Sequence, residues 1–201
     1  MSSGPIIPVD APFEPLVQRI VREATVVDDR ILKIDHFLNH RIEPSFMAAM
    51  GHALAERLRA FQPELLLTAE ASGIAPTLAV ATALDIPFVY AKKYSPEVEA
   101  PALSRVVPSP TKGGHARLVV SGRYLTAGLR VALIDDFLAN GRTAAALAEI
   151  VADAGAGLVA AGFLVEKLFQ GGRAEIAAFG IPIATLAQVE RLDGGRVVMR
   201  A

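Results

Sequence analysis

The chain has 201 residues, of which 52% are hydrophobic and 20% charged, and its formal net charge is −1. This length is enough for one α/β domain with a modest appendage. The balanced charge argues against a nucleic-acid-binding protein, which would carry an excess of Lys and Arg. Cysteine is absent, which excludes disulfides, thiolate metal sites and a cysteine nucleophile and suits a reducing cytoplasm.

The chain has no recognisable membrane or export segment. Its first twenty residues lack a basic region and carry Asp10 and Glu14, which argues against a signal peptide. The longest uncharged runs are too short to span a bilayer. His36 and His40 are four residues apart but have no third ligand nearby, so we expect no zinc site. The sequence predicts a cytoplasmic protein.

The N-terminal part is predicted to contain two helices separated by an irregular segment. Apolar spacing predicts the first helix over Phe13–Ala24 and the second over Phe46–Ala60. Between them, Ile31–Pro44 alternates apolar and polar residues in neither a helical nor a strand period. Such an amphipathic loop could cover a flat apolar ligand or could simply anchor the N-terminus.

A strand, a tight turn and a helix follow. Leu65–Leu67 is a continuous apolar run typical of a buried parallel strand, and it leads to Thr68 and Glu70. Ala71, Ser72 and Gly73 form a turn of small residues before a helix predicted over Ile74–Leu84. A turn of this kind, followed by a helix N-terminus, is typical of an anion-binding loop.

The next strand, Phe88–Ala91, ends at Lys92 and Lys93, two cations that would meet a polyanion at the same edge of the sheet. The proline-rich stretch 95–114 is predicted to be a loop and a candidate lid, whose role, like that of Lys112 within it, the sequence leaves open. An extended segment resumes at Leu118–Ser121.

The most informative stretch is VALIDDFLANGRTA, residues 131–144. Val131–Ile134 reads as a buried strand, Asp135 and Asp136 follow it, and residues 139–143 form a Gly-bearing turn before a helix that extends to Asp153. Acids at a strand end can accept hydrogen bonds from sugar hydroxyls or hold a hydrated cation, and the turn can wrap a phosphate. The combination predicts a site for a phosphorylated sugar.

Further strands at Leu158–Val165 and Ile183–Val189, a turn over Gln170–Arg173 and a short helix over Ala174–Phe179 complete the pattern. A terminal turn and strand are predicted over Leu192–Met199. Alternating strands and helices predict a doubly wound, mostly parallel sheet, and residues 1–201 are predicted to form a single domain.

Residues 131–144 resemble the 5-phosphoribosyl-1-pyrophosphate (PRPP) motif of the type I phosphoribosyltransferases. EASGIAP, residues 70–76, resembles the pyrophosphate loop of the same family. ILKIDHFLNH, starting at Ile31, and VEKLFQGGR, starting at Val165, are similar to the xanthine branch of that family. The resemblance implies an α/β fold with a mostly parallel twisted sheet flanked by helices, and a small N-terminal hood formed mainly by residues 1–45 with the C-terminal segment.

The resemblance also implies purine salvage. In that reaction the purine attacks C1 of PRPP, and with xanthine it yields xanthosine 5′-monophosphate (XMP) and pyrophosphate. It implies a homodimer and Mg²⁺ bound with PRPP, with no protein metal ligand assigned. The implied residue roles are: ribose contacts and catalysis, Asp135 and Asp136; 5-phosphate contacts, Ala139, Asn140, Gly141, Arg142 and Thr143; pyrophosphate contacts, Glu70, Ala71, Ser72, Gly73, Lys92 and Lys93; xanthine contacts, Leu32, Asn39 and Lys167.

The phosphate loop departs from the hypoxanthine–guanine branch at its first residue. That branch has an Asp there, able to take a proton from purine N7, whereas this chain has Ala139. Xanthine is partly deprotonated near neutral pH, so a cationic contact such as Lys167 could replace the missing base. The departure argues against close kinship with the hypoxanthine–guanine branch.

Simpler interpretations of the purine-contacting residues stay open. Asn39 could close a turn, Lys167 could be solvated, and Leu32 could belong to the core. A phosphoribosyltransferase for guanine, hypoxanthine, adenine or orotate is an alternative function. A PRPP-sensing purine regulator without catalysis is another, although no basic DNA-binding segment precedes the domain.

Overall fold

The protein is described by a computed structural model over residues 9–93, 102–108 and 114–200. It has five α-helices and ten strands within these ranges. The helices are α1 Glu14–Glu23, α2 Pro44–Leu58, α3 Ile74–Leu84, α4 Arg142–Asp153 and α5 Gly172–Ala177. The strands are β1 Thr25–Val27, β2 Ile31–Lys33, β3 Leu65–Ala69, β4 Phe88–Ala91, β5 Ala102–Pro108, β6 His115–Ser121, β7 Arg130–Leu138, β8 Gly157–Lys167, β9 Ile183–Asp193 and β10 Arg196–Met199.

The central sheet has six strands in the order β10-β9-β8-β7-β3-β4. All neighbouring pairs are parallel except β9 and β10. The fold class predicted from the sequence is therefore confirmed. From β3 the chain continues outward to β4, whereas from β7 it continues through β8 to β9 in the opposite direction. Strand order thus reverses between β3 and β7, and in open α/β sheets ligands bind beyond the carboxyl ends of the strands at such a point.

The two faces of the sheet are covered by separate apolar cores. One core holds α2 and α3 against the sheet, together with residues of α1 and β2; the other holds α4, α5 and the hairpin formed by β5 and β6. β3 and β7 are buried on both faces, which is why their sequences are continuous apolar runs. Among the described residues, no helix is both long and apolar enough to cross a membrane.

The N-terminal segment closes over the β9 side of the sheet. The backbone N–H of Phe13 donates to the Leu186 carbonyl, and α1 buries Leu16 and Ile20, one helical turn apart, against the core. Arg19 on α1 binds Glu43 at the start of α2 through two hydrogen bonds of 2.7 and 2.8 Å. Residues 31–44, predicted to be irregular, include β2 followed by turns.

The structure corrects two details of the predicted elements. Within the stretch 95–114, predicted to be a loop, residues 102–108 form β5 and pair antiparallel with β6. The sequence of this proline-flanked segment gives no signal that it pairs with β6. Residues 95–101 and 109–113, including Lys112, lie outside the described ranges. In addition, β7 continues past Ile134 to Leu138, because β8 supplies pairing partners as far as Glu166.

Candidate active site

Asp135 and Asp136 lie near the C-terminal end of β7. Their side chains point to opposite faces of the sheet, as those of successive residues of a strand do. The Asp136 side chain is only 5% exposed. Its carboxylate accepts hydrogen bonds from Asn39 Nδ2 at 2.5 Å, Ser72 Oγ at 3.1 Å and the Phe137 N–H at 3.0 Å. Asp136 therefore joins the N-terminal segment, the turn after β3 and the end of β7.

Asp135 lies on the α4 side of the sheet, where it lines a cavity. Burial, followed by the like charge of Asp136, raises its pKa well above the ordinary value; the positive charge of Lys93 opposes this shift. Its Oδ1 accepts the Asp136 N–H at 2.9 Å. The protonated form of Asp135 is thus favoured more than in an ordinary Asp, and a nearby cationic group would favour its ionised form.

The cavity next to Asp135 has a volume of about 210 Å³ and contains the predicted phosphate loop. Gly141 has φ of +77° and precedes α4 without a side chain that could cap it, and residues 142–144 in the first turn of the helix line the cavity. Asn140 Oδ1 accepts the Arg142 N–H at 3.1 Å and shapes the turn. The cavity is lined by Pro108, Asp135, Phe137, Leu138, Ala139, Asn140, Gly141, Arg142, Thr143 and Ala144.

The turn after β3 lies directly beside the acid pair. Because β3 and β7 are adjacent, Ser72 reaches Asp136, and a Cβ added to Gly73 would lie 2.7 Å from Asp135 Oδ1 and overlap Thr68 Oγ1. Only glycine fits this position without displacement. The Glu70–Ala71 peptide bond is cis, and Glu70 Oε1 accepts the Lys93 N–H at 2.6 Å.

Lys92 and Lys93 lie where β4 ends, next to the turn after β3, and both are exposed. The Lys92 backbone pairs with Val119 of β6 through two hydrogen bonds of 2.9 Å. The sheet edge therefore brings together the predicted pyrophosphate turn and the two predicted lysines, with β6 alongside. The PRPP contacts assigned to these residues stay predictions.

Lys167 ends β8 at the same edge of the sheet. Its Nζ lies 4.9 Å from the centre of the Phe137 ring, a distance at which the ring attracts a cation. Burial lowers the pKa of Lys167, and the charge of Asp136 partly opposes that shift. A half-buried ammonium beside an aromatic ring is unlike a solvated surface lysine, and it offers three donors to a ligand.

The two remaining predicted purine contacts have different surroundings. Asn39 is committed through its Nδ2 to Asp136, so in this structure it contacts the acid pair. Leu32 is 6% exposed and packs in the larger apolar core. That location matches the alternative that Leu32 is a core residue.

A buried polar cluster behind Lys167 was missed by sequence reasoning. Glu166 is 1% exposed and binds Arg173 at the start of α5. Gln188 on β9 and Asp10 in the N-terminal segment contact the same pair. Three stretches of sequence meet here, around residues 10, 166–173 and 188, and no local pattern could have indicated this; the only sequence signal was an acidic residue at the end of an apolar strand.

One edge of the parallel sheet carries paired acids, an anion cavity and a second turn of small residues. These features define the class of the protein, which has a phosphoribosyltransferase fold. The "Phosphoribosyl transferase domain" family matches residues 40–182. The chain is 58% identical over 185 residues to xanthine phosphoribosyltransferase of Chloroflexus aurantiacus, covering 92% of this chain and 88% of that protein. The chain belongs to the phosphoribosyltransferase family, in the group of its xanthine phosphoribosyltransferases.

Two further comparisons agree with this assignment. The xanthine phosphoribosyltransferase of Deinococcus deserti is 43% identical over 188 residues, covering 92% of this chain and 97% of that protein. The crystal structure of adenine phosphoribosyltransferase from Thermoanaerobacter pseudethanolicus matches with a TM-score of 0.65 at 27% identity, covering 73% of this chain and 82% of that chain.

Proposed function

We propose that this chain transfers the 5-phosphoribosyl group of PRPP to xanthine in purine salvage, giving XMP and pyrophosphate. The observation that carries the proposal is the placement of half-buried Lys167 at the sheet edge that also holds the acid pair and the anion cavity. An ammonium only donates hydrogen bonds, so it favours a purine bearing oxygen acceptors or negative charge. Adenine has a donating amino group at the corresponding edge. The names of the curated relatives support the same choice.

The chemistry requires the enzyme to stabilise opposite charges in the transition state. Displacement at C1 of PRPP makes the ribosyl group positive as pyrophosphate becomes negative. In this proposal Asp135, which lines the cavity, and Asp136, which is held next to the turn 70–73, both stabilise the positive ribosyl group through their negative charge. The turn 70–73 with Lys92 and Lys93 would face the leaving pyrophosphate, and residues 139–143 would hold the 5-phosphate.

The hypoxanthine–guanine branch can deprotonate the purine with an Asp at the start of the phosphate loop. This chain lacks that Asp and needs another way to supply an anionic purine. Ala139 occupies that position and cannot accept a proton. Lys167 would instead hold xanthine in its anionic form, which needs no proton removal during the attack. This role uses the positive form of Lys167, which the charge of Asp136 favours.

We propose that Mg²⁺ arrives with PRPP. Mg²⁺ commonly keeps several waters and takes one or two carboxylates together with substrate phosphates. Among residues 9–93, 102–108 and 114–200, no group of three or more His, Cys, Asp or Glu side chains could hold an ion. Asp135, which faces the cavity, is the carboxylate that would approach it. Bound there, the ion would supply neutralising charge to the pyrophosphate.

A homodimer and a cytoplasmic location stay expectations of the family resemblance. β4 is the edge strand of the central sheet, and Tyr90 on it and Leu78 on α3 are 38% and 54% exposed. We propose that a second copy of the chain covers this edge. Sedimentation equilibrium of the purified protein tests the dimer, and a single monomer mass at micromolar concentration would contradict it.

The test of the function is a comparison of purine substrates. Initial rates of pyrophosphate release from PRPP are measured with xanthine, guanine, hypoxanthine, adenine and orotate. We expect the highest kcat/KM with xanthine. Strong activity with another base and none with xanthine would overturn the substrate, while no activity with any base together with tight PRPP binding would favour a non-catalytic PRPP sensor.

A further inference from the structure

The segment from Lys167 to Gly172 connects two parts of the candidate active site. It leaves β8 at Lys167, makes a 3-10 turn over Leu168–Gln170, and enters α5 at Gly172. Its first residue is the proposed purine contact. Its last residue touches the phosphate loop.

The contact with the phosphate loop is made by backbone on both sides. The Gly172 N–H donates to the Ala139 carbonyl at 2.9 Å. A Cβ added to Gly172 would lie 2.8 Å from Gly141 N and overlap the Ala139 carbonyl oxygen, and one added to Gly141 would lie 2.8 Å from the Gly172 carbonyl oxygen. With no side chain between them to adapt, a displacement of Gly172 must move the loop.

A bidentate ion pair joins the residues that flank the two ends of this segment. Arg173 Nε and Nη2 donate to Glu166 Oε1 and Oε2 at 2.8 and 2.6 Å. Gln188 Nε2 donates to Glu166 Oε2 at 2.7 Å, and Arg173 Nη2 also donates to Asp10 Oδ1 at 3.1 Å. Glu166 directly precedes Lys167, and Arg173 directly follows Gly172. The pair therefore fixes both ends of the segment, and we call it the Glu166–Arg173 clasp.

We propose that Glu166 and Arg173 are positioning residues that set the separation between the purine contact Lys167 and the 5-phosphate loop. The proposal rests on the proposed function. A nucleotide spans both subsites, so its binding depends on their separation, whereas a phosphorylated ribose alone depends only on the loop. The two parallel hydrogen bonds of an Arg–carboxylate pair restrict direction as well as distance, which the single ammonium of a Lys does not.

The direct test replaces Arg173 by Lys, which keeps the charge and removes the two-pronged geometry. Affinities for XMP and for ribose 5-phosphate are measured by calorimetry, alongside kcat/KM for xanthine. For Arg173→Lys we expect XMP binding and kcat/KM to weaken about tenfold or more, since small misplacements of binding groups can cost up to about a hundredfold. Ribose 5-phosphate binding should change by less than about twofold on the same reasoning.

A second variant protects the test against a loss of folding. Glu166→Gln removes the buried charge and keeps an acceptor for Gln188. Arg173, 34% exposed, can still form hydrogen bonds with solvent and with Asp10. We expect the same selective loss of XMP affinity. Gly172→Ala should differ, because it presses on the loop itself and should weaken ribose 5-phosphate as well as XMP.

Arg130→Lys is the matched control. Arg130 lies at the opposite end of β7 and donates to the carbonyls of Phe61 and Gln62, so the same substitution should leave both affinities unchanged. Equal XMP affinity in wild type and in folded Arg173→Lys and Glu166→Gln would overturn the clasp, as would equal losses for XMP and ribose 5-phosphate. Failure of the wild type to bind XMP would count against the proposed substrate instead.

Discussion

Asp135 and Asp136 adjoin in the chain, yet their surroundings give them different tasks. Asp136 has three protein donors, which hold its carboxylate in place before any ligand binds. Asp135 faces the cavity and has a raised pKa, because burial and its charged neighbour penalise ionisation. The site thus contains one carboxylate, Asp136, that its donors hold in place. The other, Asp135, has an ionised form that is unfavourable until a positive ligand group or ion arrives.

This arrangement predicts that Asp135→Asn stabilises the protein while it abolishes activity. A carboxyl whose folded-state pKa is raised stabilises the fold below its unfolded pKa, and that contribution is lost as pH rises through the folded pKa. Above this pKa the variant avoids the cost of ionising a buried carboxyl, so its free energy of unfolding should exceed that of wild type.

Urea denaturation from pH 3 to 8 measures the effect. The advantage of Asp135→Asn should be full above the raised pKa and should vanish below the ordinary Asp pKa of about 3.9. A variant that is less stable than wild type at pH 8 would contradict the inferred penalty. The activity assay with PRPP and xanthine, run on the same samples, should show a loss of at least about a hundredfold in kcat.

For Lys167→Met we predict weaker binding of the purine and unchanged binding of PRPP. The variant keeps an unbranched side chain that is one atom shorter and removes its charge, so the KM for xanthine should rise by about tenfold or more, as expected for a partly desolvated charged contact. PRPP affinity, measured by calorimetry without purine, should stay nearly unchanged. Lys33→Met, at an exposed lysine of β2, is the control. Equal losses of purine and PRPP binding would show that Lys167 is not the purine contact.

At the scale of elements, the active site depends on where α4 begins. Gly141 combines a positive φ with close contact to the first residue of α5, so two separate demands exclude a side chain there. The same loop must leave the N–H groups of α4 open to a phosphate. Gly141 supplies no side-chain cap, so we expect the N–H groups of the first turn of α4 that Asn140 does not occupy to bind a phosphate.

Gly141→Ala should cost both stability and ligand affinity. The left-handed conformation costs an L-residue about 1–2 kcal/mol, and the added Cβ would also displace Gly172 or the loop. Gly180→Ala is a matched control, since Gly180 has φ of +68° and open space around it. Gly180→Ala should lose about 1–2 kcal/mol in urea denaturation and Gly141→Ala more, because of its steric overlap, but only Gly141→Ala should weaken ribose 5-phosphate binding. Unchanged binding in Gly141→Ala would contradict the loop's role.

At the scale of the whole molecule, the ligand crevice joins elements that are far apart in sequence. Asp136 alone links Asn39, Ser72 and β7, and Arg173 links the N-terminal segment to β8. A ligand that occupies the crevice therefore binds several elements at once and should stabilise the molecule globally.

PRPP with Mg²⁺ should accordingly raise the melting temperature. At a free concentration one hundred times its Kd, a ligand that binds only the folded state adds about 2.7 kcal/mol, which for a chain of this size corresponds to roughly 5–10 °C. Scanning calorimetry measures the shift, and glucose 6-phosphate serves as a control phosphate. No shift at saturating PRPP would contradict the proposed ligand.

Several parts of the site followed from local sequence because they are local in the chain. The buried strands showed as continuous apolar runs, and the acids with the loop 139–143 form one contiguous segment. The placement of the two predicted anion turns at one edge also followed, since strand–turn–helix units of one parallel sheet place their turns at the same edge. The structure places β3 beside β7, and Ser72 in the turn after β3 donates to Asp136 of β7.

The sequence by itself determined the type of sheet, the edge that carries the chemistry and the nature of the anion loop, because each depends on the period and order of nearby residues. Only the tertiary structure decided that Asn39 donates to Asp136, that 102–108 is a strand, that Glu166 pairs with Arg173 and Gln188, and that Arg173 also pairs with Asp10. These contacts join residues whose separation along the chain contains no signal of their meeting. Their partners are chosen by how helices and strands pack, which is a property of the whole chain.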